Sequence, residues 1–228
     1  MKTYDLYAES GPKMKKTVVH VPSLMGCVNG GDTTQEALDR APDAIRAYLG
    51  CLARAGERVD PHAAFKTRLA NHDTSGGFLG SAWLETDTEP LPKRESDALM
   101  KRLEALHGEL RRVTGKLTPK QLHAKPTKGR PIRQILQHLC AEGGYLRGIS
   151  GVSRLHTMVE RGQIEPLDAL DQMFALEVER LRTMQDVERS TVIMRGQSPW
   201  SARRALRSML EHSWEHYVEI SMRLGKEP

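Results

Sequence analysis

Two hydrophobic periods divide this chain. Up to about residue 89 the apolar positions fall in short β-prone runs, Thr3–Ala8 and Lys16–Val21, separated by Ser10-Gly11-Pro12, which predicts a turn between two paired strands. After Gly30-Gly31 the period lengthens: Ala37, Leu38, Ala41, Ile45, Leu49 and Leu52 recur at helical intervals, and Thr33 and Glu36 have the spacing of a capping box. Gly56 supplies the stop, and Pro42 inside the run should kink the helix, because it lacks an N–H and crowds the preceding turn. Two further β-prone stretches, Phe65–Ala70 and Phe78–Thr86, lie either side of Asn71-His72-Asp73 and Ser75-Gly76-Gly77, and predict a closing hairpin.

From Glu89-Pro90-Leu91-Pro92 onward the pattern is helical, so that proline-bearing stretch is the expected linker between residues 1–89 and residues 90–228. Helices are expected over about 93–115, 131–150, 166–187 and 199–224, with a brief helical turn after Thr118-Pro119. Pro131, Pro166 and Pro199 sit where helices should begin, with Ser198 as an N-cap before the last. Four helices of about this length make a bundle.

Composition narrows the class. Hydrophobic residues at 39% and charged residues at 28% suit a packed core rather than a disordered chain. No window is apolar enough for a membrane span, and the start MKTYDLYAESG has no apolar run for a signal peptide, so a cytoplasmic location is expected. Cys27, Cys51 and Cys140 are odd in number and far apart, which fits buried thiols in a reducing compartment rather than a disulfide framework. The net charge of +5 is uneven: residues 1–89 hold 10 Lys/Arg against 12 Asp/Glu, and residues 90–228 hold 24 against 17. Aromatic residues make up only 5%, and no basic run is interleaved with Tyr or Phe, so no nucleic-acid partner is expected.

The candidate chemistry is a histidine set. His212 and His216, four apart in LEHSWEHYVEI, lie on one side of the last helix, beside a stripe of Ala202, Leu206, Met209, Ser213, Ile220 and Leu224. His138 flanks the stripe of Ile132, Ile135, Leu136, Leu139 and Leu146, and neighbouring helices of a bundle can bring it to that pair. Three imidazoles leave coordination positions for water or substrate, whereas a structural zinc site is closed by four ligands. Cys140 points elsewhere and is no ligand. Glu142 and Tyr145, one and two turns after His138, are the candidate groups facing the metal cavity, while helical phase puts Glu211 and Glu215 on the solvated side with Arg203, Arg204 and Arg207. The remaining histidines, including His20, His72 and His107, show no partner spacing. Lys116, Lys120, Lys125, Lys128, Arg130 and Arg133 form an acid-free run that reads as solvated loop, or as attraction for an anionic substrate.

The segment Pro131-Ile132-Arg133-Gln134-Ile135-Leu136-Gln137-His138-Leu139, joined to His212-x-x-x-His216, resembles the DinB-like (damage-inducible) helical bundles over residues 93–228. That resemblance implies a zinc, nickel or related ion on His138, His212 and His216, homodimerisation, and in some members transfer of a low-molecular-weight thiol. The stretch Val19-His20-Val21-Pro22-Ser23-Leu24-Met25-Gly26-Cys27-Val28, followed by Gly31-Asp32-Thr33 and Glu36-Ala37-Leu38, resembles the HicB-like antitoxin fold over about residues 1–70. The strands offer only Asp5 and Glu9, too few carboxylates for RNase H-type magnesium chemistry. The expected fold class is therefore α+β, a small HicB-like sheet and helix followed by an all-α DinB-like four-helix bundle. The expected function is a divalent-metal-dependent, thiol-dependent transferase. The alternatives are a metal-dependent hydrolase, or a non-catalytic regulator whose HicB-like half binds a partner protein.

Overall fold

The computed structural model describes residues 1–228 apart from Ser81, Lys128, Ala141 and Gln197, and apart from the side chains at 142 and 143. The chain opens with β1 (Lys2–Ser10), β2 (Thr17–His20) and β3 (Val28–Gly31), then α1 (Thr34–Arg54) and β4 (Phe65–Asp73). These strands form one sheet in the order β3-β2-β1-β4. β1 and β2 pair antiparallel, with Tyr7 opposite His20 and Ser10 opposite Thr17, and β2 pairs antiparallel with β3. α1 begins where its capping signal predicts: the Thr33 side chain accepts from Glu36 N, and the Glu36 carboxylate returns to Asp32 N at 2.7 Å. Its apolar face, Ala37, Ala41, Ile45, Leu49 and Leu52, is buried.

The expected closing hairpin is not formed. Residues 65–73 are a strand, but it pairs parallel with β1, and the stretch 78–86 contains no strand among its described residues, ending in a 3-10 turn at Glu85–Thr88. The cause is α1, a crossover long enough to return the chain to the same end of the sheet, which parallel pairing requires.

The second half is helical but is not four long helices. It runs α2 (Lys93–Thr114), α3 (Pro119–His123), α4 (Ile132–Leu139), α5 (Val152–Glu160), α6 (Pro166–Thr183), α7 (Asp186–Ser190) and α8 (Ala202–Arg223), with a small hairpin of β5 (Ile193–Arg195) and β6 (Ser198–Trp200) before α8. The helix expected over 131–150 stops at Leu139. Cys140 is its C-cap, a 3-10 turn follows at Glu142–Tyr145, and Gly148 at φ +76° keeps the remainder of the span from rejoining a helix. The last helix also starts later than expected. Pro199 lies in β6 opposite Met194, and Ser201 rather than Ser198 is the cap, accepting from Arg204 N at 3.0 Å.

The junction at residues 89 and 90 marks a change of secondary structure but no gap in the core. A single cluster of buried apolar side chains runs from Tyr4 and Leu6 through Tyr48 to Leu106, Ile135, Trp214 and Ile220. Tyr48 of α1 meets Trp214 of α8 edge-on, ring centroids 4.8 Å apart, and donates its hydroxyl to Met25 O. Gly26, at φ +100°, passes beneath that hydroxyl, where a Cβ would overlap the Tyr48 oxygen. Arg102 of α2 forms a bidentate pair with Glu57 beyond α1. α8 is thus buried on two sides, against α2 and α4 on one and against the sheet and α1 on the other.

Candidate metal centre

Pro131 caps the start of α4 and its amphipathic stripe (Ile132, Ile135, Leu136, Leu139) is buried, which fixes the rotation of the helix and leaves His138 on the exposed flank of its last turn. α8 carries His212, half-buried, and His216, buried, one turn further on. The structure brings the three together. One ring nitrogen from each lies within 4.8 Å of the others, and His212 Nε2 is 2.9 Å from His138 Nε2. Nitrogens bound to a tetrahedral zinc at about 2.0–2.1 Å are spaced about 3.3 Å apart, so small ring rotations suffice for chelation.

Two features prepare the nitrogens. Glu219 Oε2 lies 3.0 Å from His216 Nδ1, and that contact, more than any other, holds the Glu219 carboxyl below its usual range. An Nδ1–H bound to a carboxylate puts the ring's lone pair on Nε2, the arrangement found behind metal-ligating histidines. Arg223 grips the other Glu219 oxygen and so fixes the carboxylate. Burial, with His212, Arg130 and His216 nearby, depresses His138 to about 4, so its imidazole is neutral at physiological pH.

The histidines open into a cavity of about 680 Å³ whose opposite wall comes from the N-terminal half, with Lys16, Val18, Val28, Gly30 and Gly31 facing α8. Tyr145 also lines it, not from a continuous helix but from the 3-10 turn Glu142–Tyr145, with its ring 6.0 Å from that of His212 and its carbonyl fixed by Trp200 Nε1. The Glu142 side chain lies outside the described residues. Cys140 is buried and donates to Leu136 O, away from the cluster.

The charged face of α8 differs most from expectation. Arg203, Arg207 and Glu211 are buried, whereas Glu215 is exposed at the cavity. Arg207 binds both oxygens of Asp87 at 2.9 and 2.8 Å and Glu211 at 2.7 Å, and Glu211 in turn meets His20 Nδ1 at 3.0 Å. His20 Nε2 faces Glu9, which also accepts from Gly80 N. Helical phase failed because it assumed one buried stripe, and the sheet covers a second. The only sequence sign was the i, i+4 ladder Arg203, Arg207, Glu211, opposite in charge at its last step. Glu219, three residues after His216, also belongs to the site, as does Arg130, from the run read as solvated loop or as attraction for an anionic substrate, with Arg130 Nη2 lying 3.5 Å from His216 Nε2.

Against known proteins, 42 residues in the N-terminal part of the chain are 45% identical to the UPF0150 protein Ta0767 of Thermoplasma acidophilum, covering 18% of this chain and 61% of that protein. The match supports a HicB-like character for those 42 residues. No family model matches the chain. No solved structure matches it. Among the described residues no helix is long and apolar enough to cross a membrane.

Proposed function

We propose that this protein is a divalent-metal-dependent enzyme that activates a low-molecular-weight thiol for transfer to an electrophile. The observation that carries the reading is the convergence of His138, His212 and His216 at the wall of an open cavity, with the His216 ring held by Glu219. Three imidazoles suit zinc or nickel, and they leave positions for a ligand. A bound divalent ion would supply the Lewis acidity that makes thiolate available at neutral pH. The protein's own groups do the rest: the histidines fix the ion, Glu219 sets one ring's tautomer, and Tyr145 at the cavity edge is placed to exchange a proton with a bound ligand. In the transfer the thiol proton passes to solvent, a sulfur–carbon bond forms, and the electrophile's leaving group departs with its bonding electrons. In this reading the protein works in the cytoplasm as a homodimer. Water activated by the same ion would make the enzyme a hydrolase.

A second reading rests on the UPF0150 match: a regulator whose HicB-like part binds a partner protein, with the ion as a structural or sensing element. One experiment separates the two. Purified, metal-replete protein is assayed for thiol consumption with mycothiol, bacillithiol, glutathione and coenzyme A in the presence of an electrophile. The enzyme reading requires turnover with at least one thiol and its loss in His138→Ala at unchanged helical content. No turnover with any thiol, together with a chelator-induced fall in melting temperature, would establish the regulator instead.

A further inference from the structure

Three cations line the cavity, Lys16, Arg40 and Arg130, and Arg130 touches the histidine cluster. It lies in the connector before α4, half-buried, with its guanidinium turned to the histidine cluster and 3.5 Å from His216 Nε2. Arg223 donates to the Arg130 carbonyl, which ties this backbone to α8 and holds the side chain at the site rather than in solvent. No carboxylate among the described residues lies within ion-pair distance of Arg130. Glu219 is engaged by His216 and Arg223, Glu211 is engaged by Arg207 and His20, and Glu215, exposed at the cavity on the same helix, makes no ion pair with Arg130. On the opposite wall Glu36 pairs with Arg40. Imidazole ligands bring no negative charge to offset a divalent ion's, so an ion here would place two positive charges beside a third, in a half-buried cleft where screening is weak. A site of that composition is completed by an anion.

We infer that Arg130 is the anion-binding residue of this cavity, and that the natural ligand carries a carboxylate that Arg130 holds while another of its atoms takes an open position on the ion. This rests on the metal-centre reading above and adds the charge class of the ligand. A guanidinium suits the task because its planar fork can meet both carboxylate oxygens.

The test uses the full chain loaded with cobalt(II), titrated with three thiols of similar size and different charge: 3-mercaptopropionate, 2-mercaptoethanol and cysteamine. The sulfur-to-cobalt charge-transfer band reports thiolate binding, and the visible d–d spectrum reports binding of propionate, which has no thiol. Wild type should bind 3-mercaptopropionate at least about tenfold more tightly than 2-mercaptoethanol, with cysteamine weakest. Arg130→Gln should abolish that preference at unchanged cobalt content, and Arg130→Lys should restore part of it. Equal affinity for the three thiols in wild type, or a preference that survives in Arg130→Gln, would overturn the inference while leaving thiol binding intact. If no thiol gives the band but propionate perturbs the wild-type spectrum and not that of Arg130→Gln, the thiol reading fails and the anion site stands. If neither thiols nor propionate change the spectrum, the anion site is refuted.

Discussion

His20 Nδ1 and Glu211 Oε1 lie 3.0 Å apart, in a buried contact between residues 191 positions apart in the chain. Burial alone would push the imidazole down, but Glu211 and then Glu9 outweigh it and carry His20 up to about 9. Glu211 is held low despite its burial, by Arg207 and His20. The pair is therefore an imidazolium and a carboxylate inside the protein, and breaking it strands a buried charge.

Glu211→Gln or His20→Ala should accordingly cost about 3–5 kcal/mol in urea denaturation. The pH dependence has a defined sign. His20 titrates near 9 when folded and near about 6.5 when unfolded, so its contribution is complete below the unfolded value and is lost as pH rises through 9. The melting temperature of wild type should fall more steeply between pH 7 and 9.5 than that of His20→Gln. Parallel curves would show that His20 is neutral in the native state.

Metal content tests the histidine set and its support separately. His212→Ala or His216→Ala should abolish stoichiometric zinc or nickel, measured by elemental analysis of protein purified without chelator. Glu219→Gln keeps all three ligands but weakens the hold on the His216 tautomer. It should lower metal affinity about 10–100-fold, measured by chelator competition, at a nearly unchanged melting temperature of the metal-free protein. Full affinity in Glu219→Gln would leave that carboxylate no part in the site.

The shared core bears on dissection. A fragment starting at Leu91 keeps all three histidines, yet it strips the cover from Trp214, Leu210 and the Arg207–Glu211 pair, whose other faces rest on the N-terminal half. It should aggregate, or bind metal far more weakly than the full chain, by sedimentation and chelator competition. A soluble, cooperatively melting fragment with full affinity would show two independent units despite the contacts between them.

Some of this structure is legible in the sequence and other parts are not, for identifiable reasons. Capping chemistry and apolar period located α1 and α6 closely, because Thr33 and Pro166 act through neighbours in sequence. Histidine spacing on α8 singled out His212 and His216, and the stripe of α4 put His138 on the correct flank. What failed depended on partners far along the chain. β4 reads equally well as half of a hairpin until α1 is known to return it beside β1. Glu211 and Arg207 look like solvated residues until β2 and the 84–88 turn lie against them. Glu219 had no signal except its place three residues after a histidine.

The span between contacting residues also sets a timetable. The clustered histidines come from α4 and α8, His138 and His212 standing 74 positions apart, and the opposite wall of the cavity comes from the first strands. During synthesis the sheet leaves the ribosome first, and its His20 has no Glu211 to meet until α8 follows. An ion taken up at the proposed site would then be captured late in biogenesis, by a chain whose α8 has already folded back against the sheet.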